Sequence, residues 1–177
     1  MSDLINAPGS GPIDAPIDAP IDASIGWDLP AAHVVLLAFT AADIDAYQHV
    51  NNAVYVTWCD RVAWDHSAAL GLPIGRCLEL DRGMAVVRSV FVYLRPTLRD
   101  DVVEAATWLL PAAGRLRVRR RFQLRRTADG DTLLRAEIEY ACIELSSGRP
   151  VRWPPEFRER YVALPEVTAA AGLLVPL

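Results

Sequence analysis

The chain has 177 residues, of which 52% are apolar and 23% charged, a composition that supports one folded domain and excludes wholesale disorder. The net charge of −4 comes from the first 28 residues, which contain five aspartates and no arginine, so the remainder is nearly neutral and unlike a general nucleic-acid binder. All 18 basic residues are arginines, which excludes Schiff-base chemistry and the P-loop lysine.

Residues 1–28 are expected to form a disordered tail. Three PIDA repeats fill residues 12–23, and a proline at every fourth position prevents a helix. The beginning of the chain has no basic patch followed by an apolar run, and no segment is apolar enough to span a membrane. We therefore expect a cytoplasmic protein with no membrane contact.

A strand and a long helix are predicted next. The apolar run 34–39 indicates a buried strand, residues 40–52 form a polar loop, and a helical period begins at Ala53. Gly71 and Pro73 end this helix, and residues 72–83 are expected to be a loop. The stripe that faces the core is predicted to comprise Tyr55, Trp58, Cys59, Val62, His66 and Ala69.

Four further strands are predicted over residues 85–94, 102–110, 115–126 and 132–145. One strand, one long helix and four strands in succession predict an α+β fold, in which an antiparallel sheet of about five strands wraps around one long helix.

The last two strands are expected to form a hairpin. Two apolar sets should share one face: Leu116, Val118, Phe122 and Leu124 on the first strand, and Leu134, Ala136, Ile138 and Tyr140 on the second.

A three-residue hairpin loop over residues 129–131 brings these sets together, with Arg121 opposite Glu139 and Gln123 opposite Glu137. Arginines at positions 115, 117, 119 and 121 form a stripe that resembles a nucleic-acid or phosphate patch. Because Glu137 and Glu139 lie on the same face, cross-strand pairing is favoured and no nucleic-acid partner is expected.

The end of the chain carries weaker signals. Pro154-Pro155 is expected to open a short helix through Tyr161. Residues 165–177 are predicted to be a C-terminal tail or a subunit contact, which leaves residues 29–164 as the domain.

Other reactive side chains are expected to be structural. Three histidines without metal-ligand spacing predict no metal site, and His66 is expected to be a core or interface residue, while His33 has no visible partner. Trp64, opposite the helix stripe, indicates a subunit contact. Structural thiols are expected at Cys59, Cys77 and Cys142.

Residues 43–52, between the first strand and the helix, contain the densest run of polar side chains that could take part in chemistry. A helix start offers unpaired backbone N–H groups that can hold an oxyanion, and a nearby carboxylate can attack a carbonyl or activate water. This geometry favours acyl transfer or hydrolysis, although Asp and Asn are also common before helices simply as caps.

The motif Asp43-x-Asp45-x-x-x-His49-Val50-Asn51-Asn52-Ala53-x-Tyr55, followed by Trp58 and Asp60-Arg61, resembles the signature of hot-dog-fold acyl-CoA thioesterases of the 4-hydroxybenzoyl-CoA thioesterase-like family. Further similar stretches are 86–89, 93–96 and 147–151, so the resemblance covers about residues 33–162. Two departures are Gln48, where many members have glycine, and Tyr47, where the plant acyl-carrier-protein enzymes have Asn. The second departure argues against an acyl-carrier protein as first-choice carrier.

The resemblance implies a role for each matched residue. Asp45 would be the catalytic nucleophile or general base, the backbone N–H of Asn52 would polarise the thioester carbonyl, and His49 would lie near the carbonyl or orient water. Asn51 and Asp43 would support the loop, and Tyr47 would narrow or line the acyl pocket. Tyr55 lies on the apolar helix stripe and is expected in the core. Because arginine binds phosphate well, Arg88, Arg95 and the arginine stripe are all candidate ligands of the coenzyme A phosphates.

The expected protein is therefore a hydrolase, an acyl-CoA thioesterase that needs no cofactor and releases a free acid and coenzyme A. It would act as a homodimer or a homotetramer. The alternatives are an acyl-thioester hydratase or dehydratase, which the same fold hosts, and a non-catalytic acyl-CoA-binding protein.

Overall fold

The computed structural model describes residues 26–111, 116–174 and 177. The PIDA repeats lie outside these residues. The described part contains β1 (His33–Leu37), α1 (Asn52–Ala69), α2 (Ile74–Glu79), β2 (Arg82–Tyr93), β3 (Val103–Leu110), β4 (Arg117–Arg126), β5 (Thr132–Glu144), α3 (Pro155–Arg160) and α4 (Pro165–Ala171).

One antiparallel five-stranded sheet has the strand order β1-β3-β4-β5-β2. Helix α1 packs on its inner face, and the two form the main core. The predicted α+β architecture is therefore confirmed. The predicted short helix after Pro154 is confirmed as α3, whereas the loop predicted over residues 72–83 is wrong because it contains the six-residue helix α2.

The buried stripe of α1 differs at its C-terminal end from the predicted one. Tyr55, Trp58, Cys59 and Val62 are buried as expected. Ala63 and Ser67 take the last buried positions, while Ala69 is exposed and His66 is half-buried. The three cysteines are free and buried, in agreement with structural thiols.

The hairpin of β4 and β5 has the predicted faces but a different register. Arg121 lies opposite Glu137 and Gln123 opposite Arg135, so the predicted partners are wrong by two residues. A register shift at Leu124/Arg125 and strands that end at Arg126 and resume at Thr132 produce a longer turn than the predicted one. Of the predicted inner set, Leu116 is exposed.

The outward arginines are nevertheless paired across the strands. Arg117 Nη1 lies 2.8 Å from Glu139 Oε1, and Arg119 Nη1 lies 3.1 Å from Glu137 Oε1. Arg115 lies outside the described residues. The stripe is thus a set of ion pairs, which favours the cross-strand interpretation over a nucleic-acid patch.

The outer face of the sheet is covered by both ends of the described chain. Residues 26–32, which we call the strap, and helix α4 pack on Trp108 and Leu110 through Leu29 and Val167. The indole N–H of Trp108 donates to the carbonyl of Pro30 at 2.8 Å. These contacts bury an apolar sheet face that would otherwise meet water.

Asp28 anchors the strap by charge. Its two carboxylate oxygens each accept a hydrogen bond of 2.7 Å from Arg135, and Arg121 Nη2 lies 3.6 Å away. Its backbone N–H donates to Gln123 Oε1 at 2.7 Å. Residues 26–28 are therefore packed on the sheet, unlike the tail expected over residues 1–28, and the expected tail 165–177 contains α4.

The sheet has edges at β1 and β2. Strand β2 is 12 residues long, and a register shift between Val86 and Arg88 interrupts its pairing with β5. Within the described residues no helix is long and apolar enough to cross a membrane.

Candidate active site

The loop between β1 and α1 is built from nested turns. Thr40 caps the 3-10 turn 41–43, and Asp43 Oδ2 accepts hydrogen bonds from the backbone N–H of Thr40 at 2.7 Å and from its hydroxyl at 3.1 Å. The carbonyl of Asp43 accepts from the N–H of Asn51 at 2.8 Å. Asp43 therefore braces the loop, as predicted.

Asp45 closes the second turn. Its Oδ1 accepts from the N–H of Tyr47 at 2.8 Å and from the N–H of His49 at 3.2 Å. Gln48 adopts φ +64°, a left-handed conformation that favours glycine, at the position where the resembled family often has glycine. The turn thus accepts Gln48 at a conformational cost.

The segment before β3 holds this loop in place from the other side. The carbonyl of Thr97 accepts from the N–H of Val50 at 2.9 Å, and His49 pairs with Leu98 in an isolated bridge. Tyr55 of α1 donates its hydroxyl to Thr97 Oγ1 at 2.9 Å and accepts from the N–H of Thr97 at 3.1 Å. Tyr55 is in the core as predicted, and its bracing role was not predicted.

Helix α1 begins beside the Asp45 turn. Asn51 caps it, because its Oδ1 accepts from the N–H of Ala53 at 2.9 Å while its carbonyl accepts from the N–H of Val54 at 2.9 Å. The N–H of Asn52 has no hydrogen-bond partner within residues 26–111, 116–174 and 177. It is therefore a free donor at the positive end of an 18-residue helix.

A free carboxylate oxygen lies in the same loop. Asp45 Oδ1 is occupied by backbone donors, whereas its Oδ2 has no partner in the described part of the chain, and neither does the ring of His49. Asp45 and His49 are half-buried. The loop thus presents a fixed carboxylate and a free N–H, the groups needed to attack and polarise a carbonyl.

Two predicted site residues lie apart from this group within the single chain. Tyr47 is 83% exposed at the tip of the turn. Arg88 is exposed on β2, five residues before Tyr93, which donates its hydroxyl to the carbonyl of Asn52 at 3.2 Å. Five strand residues span about 17 Å, so the chain does not bring Arg88 to the helix start.

Arg95, another predicted phosphate ligand, is paired with Asp131 at 3.0 Å. Trp64 is 38% exposed, as expected for its position opposite the buried stripe.

Sequence reasoning missed a polar cluster under the other end of α1. Arg120 Nη1 lies 2.8 Å from His66 Nδ1, and Arg120 Nη2 donates to Ser67 Oγ at 2.9 Å. His33, for which no partner was expected, stacks on His66 with ring centroids 4.6 Å apart and lies 2.6 Å from Asp65. Strand alternation could have found Arg120, since it shares the inward parity of Val118 and Phe122.

The pKa values in this cluster follow from burial. Desolvation, followed by the charges of Arg120 and His33, lowers the pKa of His66 from 6.5 to about 3. His66 is therefore neutral and accepts at Nδ1 from Arg120. In the described residues no group of His, Cys, Asp and Glu side chains is arranged to hold a metal ion.

Comparisons with known proteins agree with this architecture. The sequence profile of the Thioesterase-like superfamily matches residues 39–161, which include the loop, α1 and all of β2 to β5. No curated protein matches the chain.

Solved structures share the fold at low identity. A 1,4-dihydroxy-2-naphthoyl-CoA thioesterase from Synechocystis is 14% identical, with 73% of this chain and 95% of that chain covered and a TM-score of 0.66. A DHNA-CoA thioesterase from Staphylococcus aureus is 19% identical over 73% of this chain and 88% of that chain, with a TM-score of 0.67. A gentisyl-coenzyme A thioesterase is 17% identical over 71% and 99%, with a TM-score of 0.64. The expected hot-dog fold is confirmed.

Proposed function

The chain belongs to the Thioesterase-like superfamily, and on this premise we propose that it is an acyl-CoA thioesterase, which hydrolyses a thioester to a free acid and coenzyme A. The structurally similar thioesterases named above act on coenzyme A esters, which supports coenzyme A as the carrier.

The observation that carries the proposal is the pairing of a fixed carboxylate with a free helix N–H. In the proposed mechanism the thioester oxygen accepts a hydrogen bond from the N–H of Asn52, so that negative charge develops at the positive end of α1. Asp45 Oδ2, free of protein partners among the described residues, faces the reaction.

Two routes use the same atoms. Asp45 either attacks the carbonyl and forms an acyl-enzyme anhydride that water then cleaves, or removes a proton from the attacking water. In both, one water is consumed and the thiolate of coenzyme A leaves and is protonated. The ring of His49 is proposed to orient that water, and Asn51 holds the loop through its cap.

A dimer through the free edge of β2 is proposed as the working unit. Val86 and Val87 are 55% and 48% exposed on this edge, and a second copy would cover them and extend the sheet. Such a partner is also the proposed route by which Tyr47 and Arg88 reach a substrate. A tetramer that stacks outer sheet faces would have to displace the strap and α4.

The oligomer is tested by light scattering of Val87→Lys, with Leu173→Lys as a control at a residue that is 87% exposed. The first variant is expected to shift a dimer toward monomer and the second to leave it intact. An unchanged dimer in Val87→Lys would place the contact elsewhere.

The activity is tested by free-thiol release from a panel of aliphatic and aromatic acyl-CoAs. Asp45→Asn keeps the oxygen that accepts from Tyr47 and His49 but removes the nucleophile, and it should lose about a hundredfold or more in kcat. Asp43→Asn, a matched change in the same loop, should stay within about threefold because Asn can still accept from Thr40.

Other outcomes point to the alternatives. Turnover that survives in Asp45→Asn would move the catalytic role to another residue. Loss of acyl-CoA without thiol release would indicate a hydratase or dehydratase, and tight binding without turnover would indicate a binding protein.

A further inference from the structure

The strap lies in a groove on the outer face of the sheet, and this groove binds a carboxylate. We call it the strap groove, and its lining residues on β3, β4 and β5 are Trp108, Arg121, Gln123, Arg125 and Arg135. The carboxylate of Asp28 accepts two hydrogen bonds of 2.7 Å from Arg135 and lies 3.6 Å from Arg121 Nη2. The backbone N–H of Asp28 donates to Gln123 Oε1 at 2.7 Å. Because Arg121 is almost fully buried, a segment in this groove needs an acidic side chain at this position.

Apolar residues lie on both sides of that carboxylate in the strap. The ring centroid of Trp27 lies 4.5 Å from Arg125 Cζ, and Leu29 is 2% exposed in the cluster around Trp108. The indole N–H of Trp108 donates to the carbonyl of Pro30 at 2.8 Å. The bound segment therefore has the pattern apolar-Asp-apolar-Pro, in which the proline supplies a backbone carbonyl and keeps the residue before it extended.

The same four-residue pattern occurs twice in the repeats that precede the strap. Residues 13–16 and residues 17–20 both have the sequence Ile-Asp-Ala-Pro, and residues 27–30 of the strap have the sequence Trp-Asp-Leu-Pro. Residues 21–24 have the first three positions of the pattern, followed by serine. Two repeats therefore contain every type of group that the strap groove contacts in the strap: a carboxylate between two apolar side chains, followed by the carbonyl of a proline.

The strap is the stronger of these ligands, because Trp27 and Leu29 bury more apolar surface than isoleucine and alanine can. The repeats can nevertheless reach the groove. If Pro20 took the place of Pro30, the distance to the start of β1 at His33 would be at most about 11 Å. The connection would be residues 21–32, a segment of 12 residues that spans about 40 Å when extended.

The short connection between the strap and β1 is strained. Only residues 31 and 32 join Pro30 to His33, and Ala31 adopts φ +50°, a left-handed conformation that is costly for alanine. A repeat in the groove would be joined to β1 by a longer connection, which does not require this conformation. Relief of this strain offsets part of the apolar surface that isoleucine and alanine leave unfilled.

We propose that residues 13–20 are alternative ligands of the strap groove in the same chain, and that Asp14 or Asp18 pairs with Arg135 when the strap leaves. The aspartates complement the arginines of the groove in charge, and a tether within one chain gives the repeats an effective concentration in the millimolar range. The apolar sheet face around Trp108 then stays covered. Binding in this groove can be measured whether or not the chain hydrolyses acyl-CoA.

The first test adds the repeats as a separate peptide with the sequence of residues 12–20. It is titrated onto the full chain with Asp14→Asn, Asp18→Asn, Asp22→Asn and Asp28→Asn, so that the chain's own aspartates do not compete. The NMR signal of the Trp108 indole N–H, which faces the strap, reports binding. We expect it to shift with a dissociation constant in the millimolar range or below, and at least tenfold less affinity in the unsubstituted chain, where the strap fills the groove.

The matched control is a peptide in which isoleucine and aspartate are exchanged within each repeat, since composition, charge and proline spacing stay the same. It should bind at least tenfold more weakly, because its carboxylate is one residue further from the proline carbonyl. Arg135→Met, added to the fourfold variant, should weaken binding of the native-order peptide by a similar factor. Equal affinities for the two peptides, no binding of either, or unchanged affinity with Arg135→Met would overturn the proposal.

A second test uses the repeats in place and decides even if the fourfold variant does not fold. Asp28→Asn is compared with the same variant that also carries Ile13→Asp with Asp14→Ile and the equivalent exchanges at residues 17–18 and 21–22. The exchanges should lower the urea midpoint of Asp28→Asn by about 0.5 M and leave that of the unsubstituted chain unchanged. Equal midpoints of the two Asp28→Asn proteins would refute the proposal. A difference that grows with protein concentration would place the repeats on another copy and would overturn binding within one chain.

Discussion

Asp45 and His49 hold each other through two hydrogen bonds of the backbone. The N–H of Asp45 donates to the carbonyl of His49 at 2.7 Å, and the N–H of His49 donates to Asp45 Oδ1 at 3.2 Å. The turn therefore fixes the Asp45 carboxylate seven residues before the free N–H of Asn52 at the start of α1. Because one carboxylate oxygen maintains the turn, only Oδ2 is available for chemistry.

The proposed oxyanion donor is the backbone of Asn52, and this can be separated from its side chain. Proline at the first helical position removes the N–H yet suits helix geometry, and Asn51 before it already has the extended ψ of 138° that proline requires. Asn52→Pro should keep the fold by circular dichroism and lower kcat/KM for thiol release about a hundredfold or more.

Asn52→Ala is the matched control, since it keeps the N–H and removes the side chain. It should retain activity to within about fivefold, an effect far smaller than loss of an oxyanion donor. Equal losses in Asn52→Ala and Asn52→Pro would show that the side chain, not the backbone, polarises the carbonyl.

The hydroxyl of Tyr55 should support stability as well as the loop. Tyr55→Phe keeps the ring contacts but leaves the N–H and hydroxyl of the buried Thr97 without their partner. We expect the free energy of unfolding in urea to fall by about 1–2 kcal/mol. Tyr93→Phe removes an exposed hydroxyl and should cost less than about 0.5 kcal/mol. Equal effects of the two changes would contradict the bracing role.

The carboxylate of Asp28 should contribute more to the free energy of unfolding than an exposed ion pair does. Asp28→Asn deprives Arg121, which is 2% exposed, of its nearby carboxylate, and we expect the free energy of unfolding to fall by about 2 kcal/mol. Arg117→Gln breaks an outward pair with Glu139 and should cost less than about 1 kcal/mol. Urea unfolding measures both. An unchanged free energy of unfolding in Asp28→Asn would mean that the strap is held by its apolar contacts alone.

The sequence predicts those parts of the molecule that are determined by residues close together in the chain. Tyr55, Trp58 and Val62 recur at helical spacing and so define one face of a helix. The loop from Asp43 to Asn52 contains its cap, its carboxylate and the helix start within ten residues. The six-residue helix α2 was missed because it spans fewer than two turns and contains Gly75, so it shows no period.

Features that depend on contacts between residues far apart in the chain, or on irregular strand pairing, could not be predicted from the sequence. The register of β4 against β5 depends on a shift at Leu124/Arg125 that no residue type there indicates. The pairing of Asp28 with Arg135 joins residues 107 positions apart. From the sequence, Trp27 and Asp28 fall at the end of the predicted disordered tail, because the sheet face that they cover is formed by distant strands.

His66 should make stability depend on pH. Its pKa is about 3 in the folded chain and 6.5 when unfolded, so the unfolded state binds the proton more readily. The stability that neutral His66 contributes is complete above pH 6.5 and is lost progressively as pH falls toward 3. Its neighbours oppose protonation, because Arg120 and His33 face it and Ser67 is uncharged, while Asp65 contacts His33.

His66→Asn provides an oxygen that can accept from Arg120 but cannot be protonated. Between pH 4 and 6 its free energy of unfolding should fall less steeply than that of the unsubstituted protein, by about one proton or ~1.4 kcal/mol per pH unit. Urea unfolding across this range measures the two slopes, and other titrating groups cancel because both proteins contain them. Parallel curves would mean that His66 accepts a proton in the folded state, and then Arg120 would have to move away from its Nδ1.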